Sequence, residues 1–357
     1  MNTLRASLRT HRALLLIVLL YAAAATLLAG GLPSPSDILN VLAGFLLAIL
    51  TGPIFILCGY TIHVMVMKRP HRLCHYLYHD LRRYLSNERL LHALPAMLLI
   101  PIFASSFTVF KAAIPHLHPY TWDATLSAWD MALHGGMAPW ERLQPLLGHP
   151  LVTAVLNFAY HFWFFLFYAI LYWLILDTRR PLLRMQFLLS FALTWIALGS
   201  ILAVLFASVG PCYYGHLHGS DPYAPLRAYL HAANRHIPVW ALQVQDMLWQ
   251  GYQSKGVNGE LGISAMPSMH VATAVLMAMM GWRVSRATGT ALSIFAVLIM
   301  LGSIHLGWHY AVDGYVGAAG AALVWRLVGR MLGSSEAAAP VAALAPVPCM
   351  SKGGVTS

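Results

Sequence analysis

Eight apolar runs, at about residues 13–32, 39–67, 91–112, 151–176, 185–209, 266–283, 289–307 and 310–328, leave this chain little choice of solvent. A helix needs about 20 such residues to cross a hydrocarbon core of about 30 Å. In lipid every backbone donor must find its partner within the protein, which a helix does by itself. The sequence therefore predicts an all-α fold: a polytopic membrane helix bundle of about eight transmembrane helices, with interfacial helices in the outside loops. Composition agrees. Of 357 residues, 59% are hydrophobic and 10% charged, against about a quarter charged in soluble domains. A water-soluble globule is excluded.

Arg5, Arg9 and Arg12 precede the first run. A signal peptide starts the same way, but this run is long for a signal-peptide core and is read as a retained helix. With the N-terminus inside, alternation of the spans puts 17 of the 22 Lys and Arg on the cytoplasmic side. That bias is the positive-inside rule. The excess charge (+10, pI near 9.6) then faces anionic lipid rather than nucleic acid, for which no motif is present. Both termini are expected in the cytoplasm, and a bacterial-type inner membrane is the expected location. Four units follow: 1–112, N-terminal spans and a basic cytoplasmic loop; 113–150, an outside segment whose Trp122, Trp129 and Trp140 suit a headgroup boundary; 151–332, a catalytic transmembrane core; and 333–357, a tail rich in Ala, Pro, Ser and Gly, expected to be disordered. Cys58, Cys74, Cys212 and Cys349 are scattered and suggest neither a disulfide framework nor a zinc site.

Ionisable residues at the ends of apolar helices are costly and point to function. Two clusters reach the same outer face: Ser264 to His270, entering the sixth run, and His305 to Asp313, between the seventh and eighth. His309 and Asp313, four residues apart, share a face if helical. A carboxylate accepting the imidazole Nδ1–H leaves Nε2 as nucleophile or base. His270 adds a second imidazole able to act as general acid. Two histidines with opposed roles suit covalent phosphoryl transfer, which requires no metal and no other cofactor.

Pro267-Ser268-Met269-His270 resembles the Pro-Ser-x-His motif of the type 2 phosphatidic acid phosphatase superfamily, and Leu306-Gly307-Trp308-His309-Tyr310-Ala311-Val312-Asp313 is similar to its last motif. The resemblance covers about residues 262–320. It implies that His309 forms a phosphohistidine, that Asp313 supports it, that His270 protonates the leaving group and that Ser268 holds a phosphate oxygen. Two departures stand out. Ser303 occupies the place of the family's arginine, and the Arg69-Pro70 and Arg180-Pro181 pairs lack the lysine of the Lys-x6-Arg-Pro motif and lie on the inside face. With Gly210-Pro211-Cys212-Tyr213-Tyr214 upstream, the pattern is more similar to the inositol phosphorylceramide synthase and sphingomyelin synthase branch, which handles phosphodiesters of a single negative charge.

That resemblance implies a phospholipid or lipid-phosphate substrate, a headgroup of the inositol-phosphate kind, and a lipid alcohol such as ceramide as acceptor; a plain lipid or polyprenyl phosphate phosphatase using water is the alternative. Lys255, Arg235, Arg227 and His305 are candidates to replace the missing cations, and Tyr213, Tyr214 and His161 to line the site. Bland readings stand beside these: His305 as an interfacial imidazole, His161 as a core histidine bonded to a carbonyl, Asp221 as a turn residue, and Asp123 and Asp130 as caps or solvated acids of interfacial helices. Two competing classes are a metal site on His305, His309 and Asp313, and a transporter, which the lack of repeats and the one-sided clustering disfavour. Alkaline phosphatase fused after Trp140 is expected to be active outside the cytoplasm, and the same enzyme fused after Arg180 inactive; the reverse would invert the topology.

Overall fold

The protein is described by a computed structural model over residues 2–30, 54, 57–253 and 262–337. No strand occurs among the described residues. The chain opens with α1 (Asn2–Thr10) and α2 (Arg12–Leu28), bent by 68° at their junction, followed by α3 (Leu57–Met67) and α4 (Leu73–Tyr84). α5 (Asn87–Leu117) is the first long apolar helix. Two short helices, α6 (Asp123–Leu133) and α7 (Pro139–Leu147), lead into α8 (Pro150–Leu176). α9 (Pro181–Ile196) runs through a π-helical turn, Ala197–Leu202, into α10 (Ala203–Leu205). After a 3-10 turn at Pro211–Tyr213 come α11 (Tyr214–Leu217), α12 (Ala224–Asn234) and α13 (Trp240–Gln253). The chain closes with α14 (Met269–Val284), α15 (Arg286–His305) and α16 (Ala311–Ala337).

Among the described residues five helices are long and apolar enough to cross a membrane: α5, α8, Pro181–Leu205, α15 and Ala311–Gly333. The bent pair α1–α2 makes a sixth if it counts as one span. The expected count of about eight is not confirmed by these helices. α14 has only 16 residues, or about 24 Å, and of the second run only Ile54 and α3 fall within the described residues. Prolines at the first turns of α8 and α9, where no N–H is needed, and Ser86 and Ser285 capping α5 and α15 fix where the long helices start. α16 continues to Ala337, past the expected tail boundary; the rest of that tail lies outside the described residues.

α14 is the centre of the bundle, packed against α8, α9, α15 and α16. Its Ala272, Ala274, Ala278 and Gly281 are buried, and such small side chains let neighbouring helices approach closely where lipid offers no hydrophobic contrast. Outward faces are apolar too: Phe158, Phe162 and Phe164 on α8 and Ile294 and Val297 on α15 are exposed, as helices solvated by lipid should be.

The start of α16 is held from another element. Asp130 of α6 is buried, and its two carboxylate oxygens accept the N–H groups of Ala311 (2.7 Å) and Val312 (2.9 Å). These are two of the four donors that a helix leaves without partners at its N-terminus. Burial pushes the Asp130 carboxyl up, against the pull of these N–H donors. The sequence expectation of a solvated acid or a cap on its own helix is thereby corrected: Asp130 caps α16. An amide in its place offers one acceptor and turns N–H donors toward the other amide. Asp130→Asn is therefore expected to destabilise the fold by about 1–3 kcal/mol, read as a lower thermal unfolding midpoint in detergent.

Candidate active site

Three loops meet where α14 and α16 begin. Ala265 donates its N–H to Ser208 O (2.9 Å), and Met266 donates to Ser208 Oγ (3.2 Å). Cys212 donates to Gly307 O (2.8 Å), and Ser268 donates to Asp313 O (3.0 Å). Gly210 is required here. Its φ is 88°, and a Cβ would stand 2.6 Å from Trp308 O. Asp123, fully buried on α6, accepts from Val209 N (3.0 Å), Gly210 N (2.9 Å) and Tyr310 Oη (2.8 Å). Burial pushes its carboxyl up, and the donors draw it back. Like Asp130, it is no solvated surface acid.

This platform carries the two histidines. His309 lies in the linker before α16, not on a shared helical face with Asp313. Its Nδ1 stands 2.8 Å from Ala265 O and 3.4 Å from Asp313 Oδ2. A carbonyl oxygen only accepts, so Nδ1 carries the proton and Nε2 keeps its lone pair. The backbone, with the carboxylate behind it, sets the tautomer expected from the carboxylate alone. Asp313 Oδ2 also accepts the Tyr310 N–H (3.0 Å), the reach-back bond of a capping box. His270, in the first turn of α14, is held between the rings of Tyr160 (4.4 Å, 18°) and Trp163 (4.3 Å, 41°). It makes no hydrogen bond among the described residues, and its ring centroid is 6.4 Å from that of His309.

Both imidazoles line one cavity of about 520 Å³. Aromatic side chains make most of its wall, among them Phe107, Trp163, Phe164 and Trp195, with Gly199 of the π-helical turn beside them. Lys111 of α5 is the one lysine or arginine lining it among the described residues. The sequence reading passed over this residue, although two signals mark it. Lys111 is the single charge in the third apolar run, and Lys111-x6-His118-Pro119 keeps the spacing of Lys-x6-Arg-Pro with an imidazole for the guanidinium. His118 itself is exposed, its Nδ1 donating to Pro119 O (2.8 Å), and does not line the cavity.

The other expected site residues separate. His161 lines the cavity while its Nδ1 donates to Asn157 O (2.8 Å). Tyr213 presents its ring to the cavity and gives its hydroxyl to Gln245 O (2.9 Å). Tyr214 is buried against Tyr223 and His218, off the cavity wall. Ser268 is fully buried and caps α14, its Oγ accepting from Val271 N (3.4 Å). His305 is also fully buried, its Nε2 paired with Thr153 Oγ1 (2.9 Å), away from His309 and Asp313. Among the described residues no three His, Cys, Asp or Glu converge as a metal site would require. Arg227 is paired with Asp221, and Arg235 is exposed and off the cavity wall. Lys255 lies outside the described residues.

No curated protein and no solved structure matches the chain. A family model described as the PAP2 superfamily matches residues 124–327, from α6 into α16, more than half of the chain and well beyond the two short motifs. The chain thus belongs to the PAP2 superfamily, a family of lipid phosphatases and phosphotransferases.

Proposed function

We propose that this protein is a membrane-embedded lipid phosphotransferase that moves a phospho-headgroup, of the inositol-phosphate kind, from a phospholipid to a lipid alcohol such as ceramide. One observation supports the reading: two imidazoles face one aromatic cavity in which Lys111 is the one lysine or arginine among the described residues. A phosphate monoester brings up to two negative charges and calls for several cations; a phosphodiester brings one. Lys111 matches the latter. The same balance supports the likeness to the inositol phosphorylceramide synthase and sphingomyelin synthase branch. The distribution of Lys and Arg supports a site at the outer face with both termini inside.

In this mechanism Nε2 of His309 attacks phosphorus. A P–N bond forms as the P–O bond to the departing alcohol breaks, and His270 gives its proton to that oxygen. Asp313, 3.4 Å behind the attacking ring, offsets the positive charge that the ring gains. His270 then takes the proton of the incoming alcohol, whose oxygen displaces His309 from phosphorus. No metal takes part. The aromatic walls limit access of water, which would otherwise compete as acceptor.

His309→Ala and His270→Ala each lower turnover by about a hundredfold or more without unfolding the protein, and Asp313→Asn lowers it less; near-normal turnover of His309→Ala in purified enzyme rejects the assignment. Brief incubation with a phospholipid labelled in its phosphate gives an acid-labile label lost in His309→Ala. Lys111→Gln lowers kcat/KM about ten- to hundredfold, and Lys111→Arg recovers most of it. Mass spectrometry of the lipid products decides the acceptor: headgroup released without a transfer product rejects the transferase reading.

A further inference from the structure

A second cavity lies at the far end of α8. Trp173, on its wall, stands about 20 Å along the helix from Tyr160, at ~1.5 Å per residue. The volume is about 480 Å³, and the lining is Asp80, Arg83, Tyr84, Arg89, Trp173, Asp177, Arg179 and Arg180. Four guanidinium groups thus face two carboxylates. Asp80 is engaged by the Tyr60 hydroxyl. Asp177 accepts from the Arg179 N–H (2.8 Å) and meets Arg180 only at 3.9 Å. Arg83, Arg89 and Arg179 form no ion pair among the described residues.

Two of these arginines lie over aromatic rings. The Arg89 guanidinium carbon lies 3.9 Å from the Tyr84 ring centroid, and that of Arg180 lies 5.7 Å from the Trp173 centroid. A guanidinium in cation–π contact with a ring can still offer its other N–H groups to a ligand. One such group, Nη1 of Arg89, is buried and has no partner. One turn into α9, Arg184 is fully buried with all three guanidinium nitrogens unbonded, within electrostatic range of Asp177. Positive charge therefore exceeds what the cavity's own acids offset, and guanidinium N–H groups are donors suited to phosphate oxygens.

The surroundings point to lipid as the bearer of that phosphate. α4, which supplies Asp80, Arg83 and Tyr84, has no buried residue, and its Tyr78, Leu81 and Tyr84 are exposed beside exposed Leu90 and Leu91 of α5. Apolar and aromatic side chains next to arginines at the ends of membrane helices form a headgroup boundary.

We propose that this arginine cavity binds the phosphate headgroup of an anionic phospholipid, in the leaflet opposite the histidine pair. The site is separate from the catalytic cavity and does not depend on the reaction assigned there.

Full-length protein in detergent, challenged with phosphatidylglycerol and phosphatidylcholine together, is expected to retain phosphatidylglycerol in native mass spectra. Its unfolding midpoint should rise with phosphatidylglycerol and not with phosphatidylcholine or inorganic phosphate. Arg89→Gln/Arg180→Gln should weaken retention about tenfold or more, with Arg89→Lys/Arg180→Lys in between. Should the first pair fail to fold, Arg83→Gln/Arg179→Gln, at exposed positions, makes the same comparison. Lys111→Gln, which alters the catalytic cavity, should leave the retention intact. Equal retention in the folded Gln variants, equal binding of phosphatidylcholine, or equal stabilisation by inorganic phosphate would each overturn the proposal.

Discussion

Two carboxylates buried on a helix of eleven residues fix the backbone on which the histidines sit. Asp123 gathers donors from the loop before α11 and from Tyr310; Asp130 takes the first amides of α16. Without acceptors these amides would be buried and unpaired, at a cost of about 1–3 kcal/mol each. Bonded, they set where α16 starts, and so where His309 and Asp313 stand relative to α14. The π-helical turn and Gly210 serve the same arrangement by letting backbone and aromatic walls come close. The catalytic reading rests on geometry that no residue of the histidine motifs produces by itself.

The charge in the cavity is kept low in keeping with its medium. In a largely apolar enclosure an unpaired charge interacts far more strongly than at a water-facing surface. Among the described residues Lys111 alone brings a basic side chain to this wall, which agrees with the proposed singly charged substrate. His305 and Arg227, both plausible phosphate ligands on sequence grounds, are already committed to Thr153 and Asp221.

Much of the fold was legible because lipid simplifies the rules. Runs at 91–112, 151–176, 185–209, 289–307 and 310–328 are helices, since length and apolarity suffice where backbone groups have no water to bond. Boundaries moved outward wherever proline or serine caps extended a helix. The span count is not fixed by apolarity alone, which does not separate a 16-residue central helix such as α14 from a longer crossing. At the site, the two histidines and Asp313 could be placed together from two motifs on one face. The duties of Asp123 and Asp130 could not, since their partners are 86 to 187 residues away in the chain. Lys111 was visible as a lone charge in an apolar run, but its side chain gains meaning only once α5 is seen against the loop at Gly262 that leads into α14. Arg89 and Arg180 likewise read as topogenic charges until Tyr84 and Trp173 are found beneath them.

Phe164 and Phe165 belong at once to the cavity wall and to the exposed outer surface of α8. A reactant arriving past them would slide in from the bilayer and never pass through water. Encounter then happens in two dimensions: the quantity that saturates the enzyme is the mole fraction of reactant among its neighbours in the leaflet, and diluting the membrane with inert lipid slows the reaction even when the total amount in the vessel is unchanged.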